Sequence, residues 1–125
     1  MRSKRQAVSH SKIIETKVLR YLSNIPTAQR DWKERWDIRL EDNAKRLWVG
    51  EVKDLAGGGR NPVKAALAAL AQVDALPWGD EYSRFAFVHR LNGRLENDIV
   101  AWIHFGVAVV AEAETFKRDV LGFRP

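Results

Sequence analysis

The stretch "KRLWVGEVKD", residues 45–54, passes from basic through apolar to Glu51, Lys53 and Asp54. Leu47 to Asp54 reads as a strand and the overlapping "EDNAKR" as the turn before it. Ahead of that turn Trp36 to Glu41 alternates, with Ile38 and Leu40 on one face and Asp37, Arg39 and Glu41 on the other. Two strands joined in this way predict an antiparallel hairpin. Its closure sets Asp37, at the start of one strand, beside Glu51 and Lys53 near the end of the other. Glu51 and Lys53 share a face because side chains alternate along a strand, and Val52 points the other way.

The elements around the hairpin follow from periodicity. Ile14, Val18 and Leu22 fall four apart and predict a helix from about Ser11 to Leu22, stopped near Pro26. Residues 1–10 carry Arg2, Lys4 and Arg5 with little apolar material and read as a flexible basic arm, leaving residues 11–125 as the folded domain. After the hairpin, "AGGGRNP" is a glycine loop ending on Asn61 as N-cap and Pro62 at the first helical position. Val63, Ala66, Leu67, Leu70 and Val73 then form one apolar face of a helix reaching Leu76. "RFAFVHRL" is a strand. Residues 95–105 fit either period; the spacing of Leu95, Ile99 and Ile103 favours a helix. "VAVVAE" reads as a last strand and "ETFKRDVL" as a closing helix before Gly122. The fold class is α/β, a central mixed sheet flanked by helices.

Composition narrows the function classes. A chain of 125 residues, 46% apolar, suits one domain with a small core. The absence of cysteine removes disulfides, thiolate nucleophiles and cysteine zinc sites. No long apolar run predicts a membrane span and no signal-peptide core follows the basic start, so the expected location is the cytoplasm. Lys and Arg number 21 against 16 Asp and Glu, for a formal charge of +5. Such a surplus suits a polyanion, because each neutralised phosphate releases a counterion.

Asp37, Glu51 and Lys53, with the Val52 carbonyl nearby, make a set suited to phosphodiester hydrolysis. Mg²⁺ favours one or two carboxylates and keeps several waters for a substrate phosphate. It polarises the phosphate and lowers the pKa of a bound water. Lys53 would position that water or offset developing charge. The same three residues would also serve as a salt bridge across a sheet edge.

The ordered set is more specific than its parts. Glu15 in the first helix, Asp37 at a strand start, "EVK" at the end of the next strand and Gln72 in the following helix resemble the PD-(D/E)xK nuclease superfamily over roughly residues 11–90. Trp36 stands where the family name has proline. In size and spacing the chain looks most like the archaeal-type Holliday junction resolvases. The resemblance implies a single restriction-endonuclease-like domain and a homodimer that cuts branched DNA with Mg²⁺, or with Mn²⁺ in its place. It assigns Asp37, Glu51 and Val52 as metal ligands and Lys53 as the catalytic lysine. Glu15 would be a carboxylate near the metal, and Gln72 would touch substrate or a metal-bound water.

Arg2, Lys4, Arg5, Arg30, Lys33, Arg35, Arg60 and Lys64 are the candidate DNA contacts. "RDWKERW" interleaves several of them with Trp32 and Trp36, a combination suited to phosphates and unstacked bases. "WIHFGVAVV" is apolar material that would serve a dimer or the core. His10, His89 and His104 lack metal-ligand spacing, and no serine has a nucleophile-elbow context. Two other functions fit the same residues. One is a nuclease of this type acting on ends, flaps or single strands; the other is a nucleic-acid-binding module without catalysis.

Overall fold

The computed structural model describes residues 2–30, 36–55, 61–74, 82–90 and 94–124, with side chains from Lys12 onward, that of His104 excepted. Nine elements follow one another: helix α1 (Arg2–Tyr21), strands β1 (Gln29–Arg30), β2 (Ile38–Glu41) and β3 (Leu47–Asp54), helix α2 (Pro62–Asp74), strands β4 (Ser83–His89), β5 (Ile99–His104) and β6 (Val107–Glu112), and helix α3 (Ala113–Thr115). The strands form one mixed sheet in chain order, β1 to β6. All neighbours are antiparallel except β3 and β4, which α2 joins as a parallel pair. This is the expected α/β architecture of a mixed sheet flanked by helices. Among the described residues no helix is long and apolar enough to cross a membrane.

The hairpin that organises the sheet is held by its turn. The buried Asp42 carboxylate accepts from the amides of Ala44 and Arg46 and from the indole Nε1 of Trp48, each at 2.9 Å. Aspartate can satisfy turn amides in this way, and here it also fixes a core tryptophan. Lys45 takes a positive φ of 70° at the corner.

Alternation along β3 sorts the core into two faces. Trp48 belongs to a large cluster containing Val18, Leu22, Ile38, Leu40, Phe85, Phe87 and Phe116, and Val52 packs against that cluster. Val49 faces the other way, against Val73 of α2 and Trp36. Phe116 meets the rings of Trp48, Phe85 and Trp102, with centroids 5.3–5.4 Å away. Gly50 lies flat under Phe85, where any Cβ would overlap the ring.

The structure departs from the sequence reading at four places. The helix expected from Ser11 begins at Arg2, so the residues read as an arm are helical. Gln29–Arg30 adds a two-residue edge strand, and the apolar pattern of so short an element leaves no periodic signal. Residues 95–105 are not a helix. Leu95–Asn97 is a single 3₁₀ turn and Ile99–His104 a strand. Phe105 and Gly106, both with positive φ (49° and 81°), make a two-residue turn that folds this strand onto β6. Val100, Ala101 and Trp102 are buried consecutively, since helices cover both sheet faces here, and that hides the period of two.

Finally, the closing helix changes form. After α3 the chain continues as a π-helical turn, Phe116–Val120, with the Leu121 amide bonding back to Phe116. It ends at Gly122, φ +82°, where the Phe123 amide reaches the Lys117 carbonyl at 3.0 Å. The Leu121 carbonyl accepts from the Asn43 amide at 2.8 Å, which docks this end of the chain on the β2–β3 turn.

Candidate functional site

Pairing between β2 and β3 stops at Ile38 opposite Gly50. One step further the Asp37 amide still bonds the Gly50 carbonyl at 3.1 Å. Beyond that the Asp37 side chain replaces the missing strand, and its Oδ2 accepts from the Val52 amide at 2.8 Å. In a strand the N–H and C=O of one residue point to the same side, so the Val52 carbonyl is presented toward Asp37 as well.

Continuing the register puts Glu51 across from Asp37, and the two carboxyl groups are within hydrogen-bonding reach. The Glu51 pKa is pushed up to about 8. Burial is the largest cause, followed by the hydrogen bond and the charge of Asp37. Lys53 pulls it down and Glu15 adds a further push upward. Two carboxyl groups crowded into one site disfavour each other's charged form, so Glu51 holds its proton more tightly than a free carboxyl would. Lys53 is half-buried beside it.

Glu15 reaches the same region from α1. Its pKa is raised by burial and then by Asp37, while Arg30 opposes both. The Arg30 Nε donates to Glu15 Oε1 at 3.2 Å. Its other nitrogen donates to the Lys12 carbonyl at 3.0 Å and to Thr16 Oγ1. Arg30 thus clamps β1 to α1 and orients Glu15; it was read from the sequence as a phosphate contact. The fifteen-residue separation of the pair hides it from helical or strand spacing.

The remaining candidates are dispersed. Gln72 and Lys64 are exposed on α2, away from its buried stripe of Ala66, Ala69, Leu70 and Val73. Arg2, Lys4 and Arg5 lie on the first turns of α1, with side chains outside the described set. Lys33, Arg35, Arg60 and Trp32 lie outside the described residues. Trp36 is buried against Tyr82, with ring centroids 5.5 Å apart, and so packs in the core instead of offering a stacking surface. His89 is also structural. Its Nδ1 lies 2.7 Å from Oδ2 of the fully buried Asp98, whose other oxygen accepts from the Arg90 amide. That arrangement ties together the two ends of the β4–β5 connection.

A divalent cation fits the donor set at Asp37 and Glu51. Two carboxylates crowded into one site would relieve their repulsion by binding a cation. Among the described residues no group of three or more histidine, aspartate or glutamate side chains is placed to hold a metal. Glu15 is committed to Arg30, so the donors are the carboxylate pair and the Val52 carbonyl. That set matches Mg²⁺, which takes few protein carboxylates and retains water. No protein-family model matches the chain, and no curated protein or solved structure gives a match.

Proposed function

We propose that this chain is a metal-dependent DNA endonuclease of the PD-(D/E)xK type that hydrolyses phosphodiester bonds in branched DNA, with a four-way junction as its substrate. One observation supports it above the others: the Asp37 and Glu51 carboxyl groups face each other beside Lys53, at the point where a strand runs out of its partner. A simple salt bridge across a sheet edge would pair unlike charges. Here the fold instead crowds two carboxyl groups together, and a bound cation would relieve the cost of ionising both.

Asp37, Glu51 and the Val52 carbonyl would hold Mg²⁺. When bound, the ion supplies Lewis-acid polarisation of a phosphate oxygen and a water of lowered pKa. Asp37 keeps its carboxylate oriented through the Val52 amide. Lys53 donates to the phosphate and offsets the negative charge that grows on it in the transition state. Glu15, set by Arg30, keeps a further negative charge near the ion. The chain's surplus of positive charge favours DNA approach and makes binding fall with salt.

The test is a cleavage assay comparing a labelled four-way junction with matched duplex, flap and single-stranded DNA, in Mg²⁺ and in EDTA. Metal-dependent paired cuts confined to the junction are expected. Cutting of another substrate in this set replaces the junction in the proposal, and DNA binding that survives EDTA without any cutting replaces the enzyme by a binding module.

A further inference from the structure

At the end of the sheet where β3 and β4 begin and β5 turns into β6 lies a cleft of about 890 Å³. Clefts that hold small molecules run from about 300 to 1,000 Å³. The wall is aromatic and rigid. Trp48 and Trp102, which are 4% and 6% exposed, line it and both pack on Phe116. The Trp48 indole is fixed further by its hydrogen bond to Asp42. Phe105, 92% exposed, and the half-buried Tyr82 line the cleft as well.

Charge in the cleft is balanced. Asp42 is spent on the turn and on Trp48. Asp74 pairs with Arg84 at 3.5 Å, and Asp119 accepts from Arg118 through both oxygens, at 2.9 and 3.0 Å. Arg46 reaches from the start of β3 to the Ser83 hydroxyl at the start of β4. With its carboxylates and guanidinium groups matched, the cleft has little surplus to offer a bare phosphate or an ammonium. What it offers is a set of flat rings edged by hydrogen-bond donors and acceptors. A nucleobase has the same character, a neutral plane with donors and acceptors along its edge.

We propose that this cleft receives an unpaired nucleobase, carried by a nucleic-acid strand or by a free nucleotide, and stacks it against its aromatic side chains. Position favours such a ligand. Tyr82 packs on Trp36, and Trp36 precedes Asp37 in the chain. Arg84 is in register with Val49, which shares the face of Glu51 and lies about 7 Å before it along β3. A strand laid across the carboxyl pair would therefore pass beside the cleft. An unpaired base is also the cheapest to seat, since no pairing has to be broken. The inference needs neither the metal nor the carboxyl pair, so it stands or falls apart from the cleavage reading.

The test uses the full chain in EDTA and 2-aminopurine, a fluorescent base whose emission falls when it stacks. One probe carries it within a thymidine single strand, a second pairs it inside a duplex, and a third is the free 2-aminopurine deoxynucleotide. Quenching of an unpaired probe without quenching of the duplex is expected. If the free nucleotide is quenched the source is a nucleotide; if only the single strand is, the source is a strand. Phe105→Ala, at an exposed position, should weaken binding by about 10-fold, the loss of one stacking ring. Arg46→Ala should act in the same direction, and Val63→Ala, on the exposed face of α2, should have no effect. No quenching of either unpaired probe, equal quenching of the duplex, or wild-type affinity in Phe105→Ala overturns the inference. Should Phe105→Ala fail to fold, Arg46→Ala decides by the same criterion. Junction cutting in Mg²⁺ is scored separately, so its absence removes the nuclease and leaves this result in place.

Discussion

The Asp37 carboxylate accepts a hydrogen bond from the Val52 amide at 2.8 Å, where β2 has ended and β3 continues. One side chain thus closes the sheet and supplies half of the carboxylate pair. Substitution can separate those roles. Asp37→Asn keeps an acceptor for the amide and should fold with little loss of stability. Asp37→Ala leaves a half-buried amide unpaired and should cost about 1–2 kcal/mol by chemical denaturation. Equal stability of the two variants would remove the structural role.

Glu51 has a distinct signature in the pH dependence of stability. Its folded pKa of about 8 lies above the ordinary 4.5. Between those values the folded chain holds a proton that the unfolded chain has released, so stability declines as pH rises through this window. The Glu15 pKa is raised too, which acts in the same direction. Thermal melts in EDTA should therefore show a falling midpoint from mildly acidic pH to above pH 8, and Glu51→Gln should flatten the decline. A midpoint that rises over this range in the wild type would contradict the raised Glu51 pKa.

Cation binding at the pair should displace that proton. Mg²⁺ titrations at neutral pH, followed calorimetrically in two buffers of different ionisation enthalpy, should report proton release approaching one per ion. Asp37→Asn should abolish both the release and most of the affinity. Binding without buffer dependence would place the ion elsewhere.

The β2–β3 turn should be a weak point for stability. Asp42→Ala removes three acceptor contacts and orphans the indole N–H of a tryptophan that is 4% exposed. The expected loss is about 2–3 kcal/mol, read from urea midpoints. Asp42→Asn should recover part of it.

Much of this arrangement was legible in the sequence, for physical reasons. Ile38 and Leu40 alternate cleanly because β2 has one face on the large core, and the N-cap Asn61 with Pro62 marks the start of α2. The facing of Asp37 to Glu51 and Lys53 followed from a short turn and the period of a strand. What periodicity could not show was pairing between distant residues. Arg30 reads from the sequence as a DNA contact and Trp36 as suited to stacking, whereas the structure sets Arg30 on Glu15 of α1 and Trp36 against Tyr82. β5 was missed because Val100, Ala101 and Trp102 are buried on both faces, and Leu95, Ile99 and Ile103 happened to fall four apart. The local signal that outranked them was "FG", residues 105–106, a two-residue turn between apolar runs.

The most direct test of the central claim is the rate at which wild type, Asp37→Asn and Lys53→Ala cut a labelled four-way junction, in Mg²⁺ and in EDTA, with binding measured on the same DNA. The account predicts cutting by wild type in Mg²⁺ alone, and a loss of at least about 100-fold in both variants, roughly the cost of one transition-state donor. Junction binding should remain close to wild type in the metal-free state. Cutting at the wild-type rate by either variant, or cutting that persists in EDTA, would contradict it.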